Sequence, residues 1–337
     1  MNWTLAPAAR FAEHALAWDA LQATNLAAPM LQADFIAALL AQFGNGDELL
    51  ACCTAGGEAL AMTILRPLGR GSWATFQPAQ APLGMWIERP GLDRAAALAG
   101  LVRALPGLAL VLGLTQLDPL LAPVPGNAIA YIQTARITVA GSFDAYWAGR
   151  GKNLRANLKK QRAKLAADGV ALRLQVSRGA HDMTAAVADF GQLESAGWKA
   201  QAGTAVHPEN AQGRFYSHML AAFAARGAAS VYRYWFDERL VAMDLCIGQG
   251  DCLVVLKTTY DESVPNAFSP ALLMREEAVQ AIFAQGGTAR IEFYGKVMEW
   301  HTRWTEEVRT LYHVNLYRWA ALRRLHALAQ RRRAAVP

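Results

Sequence analysis

The sequence predicts an α/β (α+β) fold of two similar units, each a mixed, mainly antiparallel sheet flanked by helices. A length of 337 residues exceeds one ordinary core and suits two of about 150. Hydrophobic residues make up 53% and charged residues 18%, which supplies apolar material for both cores and argues against disorder. One order of elements occurs twice: two helices, three strands, a crossover helix and a further strand, as an internal duplication would leave. The expected division is 1–145 and 146–337, the second unit opening with a basic helix and closing with another.

The first pass reads as a helix from Phe11 to Ala23 and a second over DFIAALLAQF, stopped by the Gly44-Asn45-Gly46 turn. Strand-like runs follow at ELLACCTA, EALAMTILRPL and SWATFQP, the first two joined by a Gly56-Gly57 hairpin signal. A helix from Asp93 to Leu105, the apolar run GLALVLGL and the strand AIAYIQTARITV complete the unit.

The chain then turns basic, with Lys152, Arg155, Lys159, Lys160, Arg162 and Lys164 before any acid appears at Asp168. Leu154, Leu158 and Leu165 recur at helical spacing, so this is an amphipathic helix with a cationic outer face. Such a face is either solvated or a guide for a polyanion, an anionic lipid surface or tRNA. The second pass runs through strand VALRLQVS, helices MTAAVADFGQLESAG and GRFYSHMLAAFAARG, and strands ASVYRYWF, RLVAMDLCIG and CLVVLKTTY. Helix SPALLMREEAVQAIFAQG, strand ARIEFYG, short helix KVMEWHTRW and strand VRTLYHVNLY follow, and a basic amphipathic tail ends in Arg331-Arg332-Arg333.

Several chemistries are excluded by pattern. Cys52, Cys53, Cys246 and Cys252 lack CxxC spacing and the seven histidines are scattered, so reduced structural thiols and no protein-built metal site are expected. There is no GxSxG elbow and no phosphate-binding P-loop. No apolar run reaches the roughly 18 residues that span a bilayer, and the N-terminus lacks signal-peptide character, which places the expected location in the cytoplasm, with peripheral contact at the inner membrane face as an option. A net charge of +6 favours anionic partners.

The repeated order of elements resembles the GNAT (Gcn-type N-acetyltransferase) superfamily. Within it, LRANLKKQRAKL, ESAGWKAQAGTAV, VLKTTYDE, NAFSPALLMREEA and IEFYGKVMEWHTRW resemble the CelD-like acetyltransferases of cellulose and exopolysaccharide clusters, themselves related to FemAB-type transferases. The resemblance covers about Asp144 to Trp304. It implies tandem GNAT-like units with one working site in the C-terminal copy, and acetyl-coenzyme A or another acyl-coenzyme A as co-substrate. Two positions depart from the family: His301 stands where it carries a lysine before Trp304, and Ala271 follows Pro270 where it has glycine.

GNAT enzymes hold the coenzyme A pyrophosphate on backbone N–H groups where a turn leads from a central strand into a helix. The equivalent turn here is Asn266-Ala267-Phe268-Ser269-Pro270-Ala271, with Leu272 in the first helical turn. Ser269 suits the N-cap and Pro270 the first helical position, so a mere helix start is the competing reading. Catalysis in the family lies where the strand before the crossover helix and the strand after it splay apart. Alternation puts Glu292 and Tyr294 on one face opposite Ile291 and Phe293, which makes Glu292 the expected general base and Tyr294 the acid, with Asp244 and His301 as substitutes. Lys257, within an apolar strand, either meets an anionic substrate or snorkels from an edge. Tyr260 and Asp261 end that strand beside the cleft, Asp261 being equally a turn residue. Trp198 and Lys199, in a loop between two helices, either cover the substrate or anchor the loop.

The function so implied is N-acylation of an amine acceptor, such as an amino sugar or another cell-envelope precursor. A FemAB-like transferase using aminoacyl-tRNA is the alternative, although those enzymes commonly carry a coiled-coil arm that this sequence lacks. A GNAT-like binding module without catalysis is a third reading.

Overall fold

The computed structural model describes residues 1–195 and 206–325. Two compact units share the chain: one holds Met1–Leu26, Met30–Ile132 and Thr310–Pro337, the other Ala27–Pro29 and Gln133–Arg309. These are not the two consecutive halves 1–145 and 146–337. The last strand returns to the first unit, where Tyr312–Tyr317 pair with Val111–Leu117.

In chain order the elements are β1 (Asn2–Pro7), α1 (Ala15–Gln22), α2 (Ala33–Phe43), β2 (Leu49–Ala55), β3 (Glu58–Gly69), β4 (Ser72–Thr75), β5 (Trp86–Glu88), α3 (Arg94–Ala104) and β6 (Val111–Leu117). Next come β7 (Ile129–Thr138), α4 (Phe143–Ala148), α5 (Lys152–Ala167), β8 (Leu172–Ser177), α6 (Met183–Ser195), α7 (Ala211–Ala225) and β9 (Ala229–Phe236). The chain closes with β10 (Arg239–Gln249), β11 (Cys252–Tyr260), α8 (Pro270–Gln285), β12 (Arg290–Glu292), α9 (Glu299–Thr302) and β13 (Val308–Tyr317).

The first unit's sheet has the order β1-β2-β3-β4-β6-β13, with β5 also on β3. Only β4 and β6 run parallel, as a crossover through α3 requires. Leu98, Leu101 and Val102 of α3 pack on Trp86, Leu112 and Leu114. Beyond their paired stretch, β4 and β6 are closed up: the Thr75 and Thr115 hydroxyls meet at 2.5 Å, and Gly84 donates its N–H to the Gln116 carbonyl at 3.1 Å. A Cβ on Gly84 would lie 1.8 Å from the Thr115 oxygen, so glycine is required for this approach. What remains beside this closure is a cavity of about 20 Å³.

The second unit's sheet runs β7-β12-β11-β10-β9-β8, antiparallel except for β11 and β12. Leu154, Leu158 and Leu165 of α5 and Leu273, Met274 and Ile282 of α8 share a core with Tyr232, Tyr234 and Phe236 of β9. The leucine spacing of α5 thus marks its buried face, but Arg162 departs from the expected cationic outer face. Its guanidinium bonds Glu276 at 2.9 Å and also Glu277, both on α8. Among the described residues, no helix is long and apolar enough to cross a membrane.

Candidate active site

The site originates in a strand that stops early. Cys252–Val254 of β11 pair in parallel with Arg290–Glu292 of β12, where β12 ends while β11 continues to Tyr260. Two residues on, Tyr294 adopts φ 48°, a left-handed conformation that costs a bulky residue about 1–3 kcal/mol. Backbone bonds hold it there: Phe293 N–H donates to Ala135 O at 3.2 Å and Gly295 N–H to Phe293 O at 2.6 Å. The two strands therefore part, and a cleft of about 1030 Å³ opens between them. Lys257, Thr258 and Tyr260 line it from β11, and Phe293, Trp300 and His301 from the other side.

The cleft reaches the start of α8, where Asn266, Phe268, Ser269, Pro270, Ala271 and Leu272 all lie on its wall. This is the turn that the sequence singled out, and its chemistry differs from a capped helix start. The Ser269 side chain makes no capping bond. Its N–H donates to Gln161 Oε1 of α5 at 2.9 Å, and its carbonyl accepts from Leu272 and Leu273 at 2.9 and 3.0 Å. With Pro270 lacking an N–H, the backbone donors left to meet an anion are fewer than in a glycine-rich turn.

Asp244 stands behind the wall, 1% exposed. Arg275 of α8 binds it through two contacts, at 2.6 and 2.9 Å, and Thr258 donates its hydroxyl to the same carboxylate at 2.6 Å. The guanidinium also covers the Phe293 ring, 5.4 Å from its centroid. Asp244 is therefore consumed by a buried ion pair that orients Arg275, which itself lines the cleft. This corrects its reading as a substitute base.

His301 is 4% exposed and stacks on Trp300 with centroids 3.5 Å apart. Its Nδ1 accepts the Met298 N–H at 2.9 Å, which leaves the proton of the neutral ring on Nε2. Burial, aided by the Arg275 charge, pulls its pKa down to about 4. The imidazole is therefore neutral near pH 7, with its N–H on Nε2 and its Nδ1 lone pair already engaged.

Lys257 turns to α6 and α7. Its ammonium lies 3.2 Å from Glu194, a carboxylate 3% exposed that also accepts the Val206 N–H at 2.7 Å. The Phe190 and Tyr216 rings flank it at 5.6 and 5.5 Å. Asp261 is a turn and ion-pair residue, bonded by Arg239 Nε and the Ser263 N–H, each at 2.9 Å. Although burial pushes its pKa up, the bonds from Ser263 and Arg239 bring it below the ordinary value.

Glu292 and Tyr294 do not line the cleft; Phe293 between them does. Glu292 is fully buried, with Arg309 at 2.8 Å and Arg290 at 3.8 Å, and the Arg309 guanidinium covers the Tyr294 ring at 5.1 Å. Alternation paired the two residues sensibly, but their shared side is the closed one. The base and acid roles assigned to them are therefore withdrawn. Trp198 and Lys199 lie outside the described residues.

Arg275, Gln161 and Glu194 were missed by sequence reasoning. Arg275 had a legible signal: it falls on the same helical stripe as the buried Ala278, Val279 and Ile282, where a charge requires a partner.

Residues 152–302 match the family model described as the acetyltransferase (GNAT) domain. No curated protein matches. Among solved structures, the chain is similar to the DUF2156 C-terminal domain of a candidate lysylphosphatidylglycerol synthetase from Agrobacterium fabrum, at 14% identity and TM-score 0.57, covering 94% of this chain and 95% of that one. FemX gives 8% identity and TM-score 0.55 over 94% of this chain and 98% of that one. L-PGS from Bacillus licheniformis gives 12% and 0.52 over 88% and 95%. None of these matches singles out the CelD-like group, so the likeness stands at the broader level of GNAT and FemAB-like proteins. The chain is thus similar to the GNAT acetyltransferase domain over residues 152–302, and its fold is like that of FemX.

Proposed function

We propose that the second unit transfers an acyl group from an acyl-coenzyme A thioester to an amine, directly and without a covalent enzyme intermediate. The observation that carries this reading is the parting of β11 and β12, which leaves a cleft running from Lys257 to the first turn of α8. A cleft of about 1030 Å³ has room for a pantetheine arm, with Phe293 and Trp300 packing beside it and the pyrophosphate at Ser269–Leu272. The neutral amine attacks the thioester carbonyl; the C–N bond forms, the C–S bond breaks, and the thiolate leaves. Charge developing on the carbonyl oxygen is met by the Nε2–H of His301, a donor fixed in advance by the Met298 N–H. The proton shed by the amine leaves to water in the open cleft. An amino sugar or another cell-envelope precursor is the proposed acceptor, on the CelD-like resemblance alone.

A second reading, transfer from aminoacyl-tRNA, is favoured by one observation: with Ser269 N–H held by Gln161 and no N–H on Pro270, the turn is poorly equipped for a pyrophosphate. An assay of thiol release from acetyl-coenzyme A with a panel of amines, beside amide formation from charged tRNA, separates the two. Acetyl-coenzyme A consumption that requires an amine supports the first reading, and transfer from tRNA alone supports the second. Binding without transfer from either donor would leave a GNAT-like binding module.

A further inference from the structure

The main cleft does not end at Ser269. A hollow of about 560 Å³ shares Ser269, Leu272, Glu299 and Arg303 with it and continues along α5. Its α5 wall carries Asn153, Asn157 and Gln161, spaced four residues apart and therefore stacked in one stripe on the helix. Leu154 and Leu158, next to this stripe, are buried in the core and fix the helix rotation that presents the amides. Gln161 ties the stripe to the cleft by accepting the Ser269 N–H at 2.9 Å.

The charge of this hollow is balanced. Glu299 pairs with Arg303 at 2.7 Å, Arg150 donates to the Trp304 carbonyl at 2.9 Å, and Glu306 is exposed at the rim. A balanced space lined by carboxamides does not select a phosphate. It selects a flat, neutral group that presents donors and acceptors side by side, and the carboxamide of Asn or Gln matches adenine bidentately in this way. Phosphates joining that base to the acyl group would cross the shared rim at Arg303, whose exposed pair with Glu299 is weak enough to exchange partners.

We infer that the Asn153–Asn157–Gln161 stripe is the adenine subsite of the acyl donor. The inference rests on the acyl-coenzyme A reading, since coenzyme A places its phosphates and pantetheine arm between the adenine and the acyl group, whereas aminoacyl-tRNA carries the acyl ester on the ribose of its terminal adenosine. The base would be held on α5, and the first turn of α8 would need fewer donors than in other GNAT sites.

Calorimetry with the full chain tests it, using coenzyme A and pantetheine 4′-phosphate, which lacks the base. Asn157 is exposed, so Asn157→Leu changes the wall without disturbing the core. If coenzyme A is the donor, the variant should weaken it at least tenfold and leave pantetheine 4′-phosphate unchanged. Equal coenzyme A affinity of wild type and variant overturns the inference while the transferase reading stands. An equal loss for coenzyme A and pantetheine 4′-phosphate also overturns it. Failure of wild type to bind coenzyme A overturns both the inference and the acyl-coenzyme A reading.

Discussion

Arg275 on α8 and Asp244 on β10 are locked by two contacts of 2.6 and 2.9 Å, and both residues are nearly inaccessible. Two charges removed from water stabilise one another only as long as both are present. Asp244→Ala should therefore cost about 3–5 kcal/mol, measured by urea unfolding, because the Arg275 charge is left buried. The double variant Asp244→Leu with Arg275→Met should regain most of that stability. A loss in the double variant equal to the sum of the two singles would show that the pair acts independently.

His301 should make folding sensitive to mild acid. Its pKa is about 4 in the folded chain, against about 6.5 unfolded, so the unfolded state binds the extra proton between those values. Stability is then complete above about pH 6.5 and falls as pH drops toward about 4, by up to about 3 kcal/mol from this group. His301→Gln should flatten that window in denaturation curves taken at successive pH values. An unchanged slope would mean that the ring takes up its proton at the same pH in the folded and unfolded chain.

Glu292 should behave as a structural acid. Glu292→Gln leaves Arg309 and Arg290 short of a counter-charge and should lower stability by about 3 kcal/mol. The pH profile of kcat should keep its shape in the folded variant, since the carboxylate lies away from the cleft. Loss of an ionisation from that profile would return Glu292 to the mechanism.

The strands, the crossover helices and the turn before α8 were legible because period, turn residues and apolar runs are local signals. Leu154, Leu158 and Leu165 marked the buried side of α5 by spacing alone, and Asn266–Leu272 was placed by a strand, a turn and a helix in sequence. Three things were not local. The return of β13 to β6 depends on which sheet edge is vacant, and a linear reading assigned it to the second half. The side of β12 that faces the cleft depends on the left-handed turn at Tyr294, a residue type with no preference for that conformation. The partners of Lys257 and Arg162 are acids on other helices, Glu194 and Glu276 with Glu277, distant in sequence from the cations they meet. Gln116 of β6, at φ 49°, has a left-handed conformation of the same kind, in the strand that follows the first unit's crossover helix.

The central claim is that one acyl donor binds per chain, in the second unit, with its phosphates at the start of α8. At the first unit's crossover helix the Asp93 carboxylate accepts the Ala96 N–H at 3.0 Å, so that helix start already holds a negative charge of its own. Calorimetric titration of coenzyme A into wild type, Ser269→Asp and Ala95→Asp tests this most directly. The account predicts one molecule bound per chain, at least a tenfold weaker affinity in Ser269→Asp, where a carboxylate faces the phosphates, and wild-type affinity in Ala95→Asp. Two molecules per chain, or a loss confined to Ala95→Asp, would contradict it.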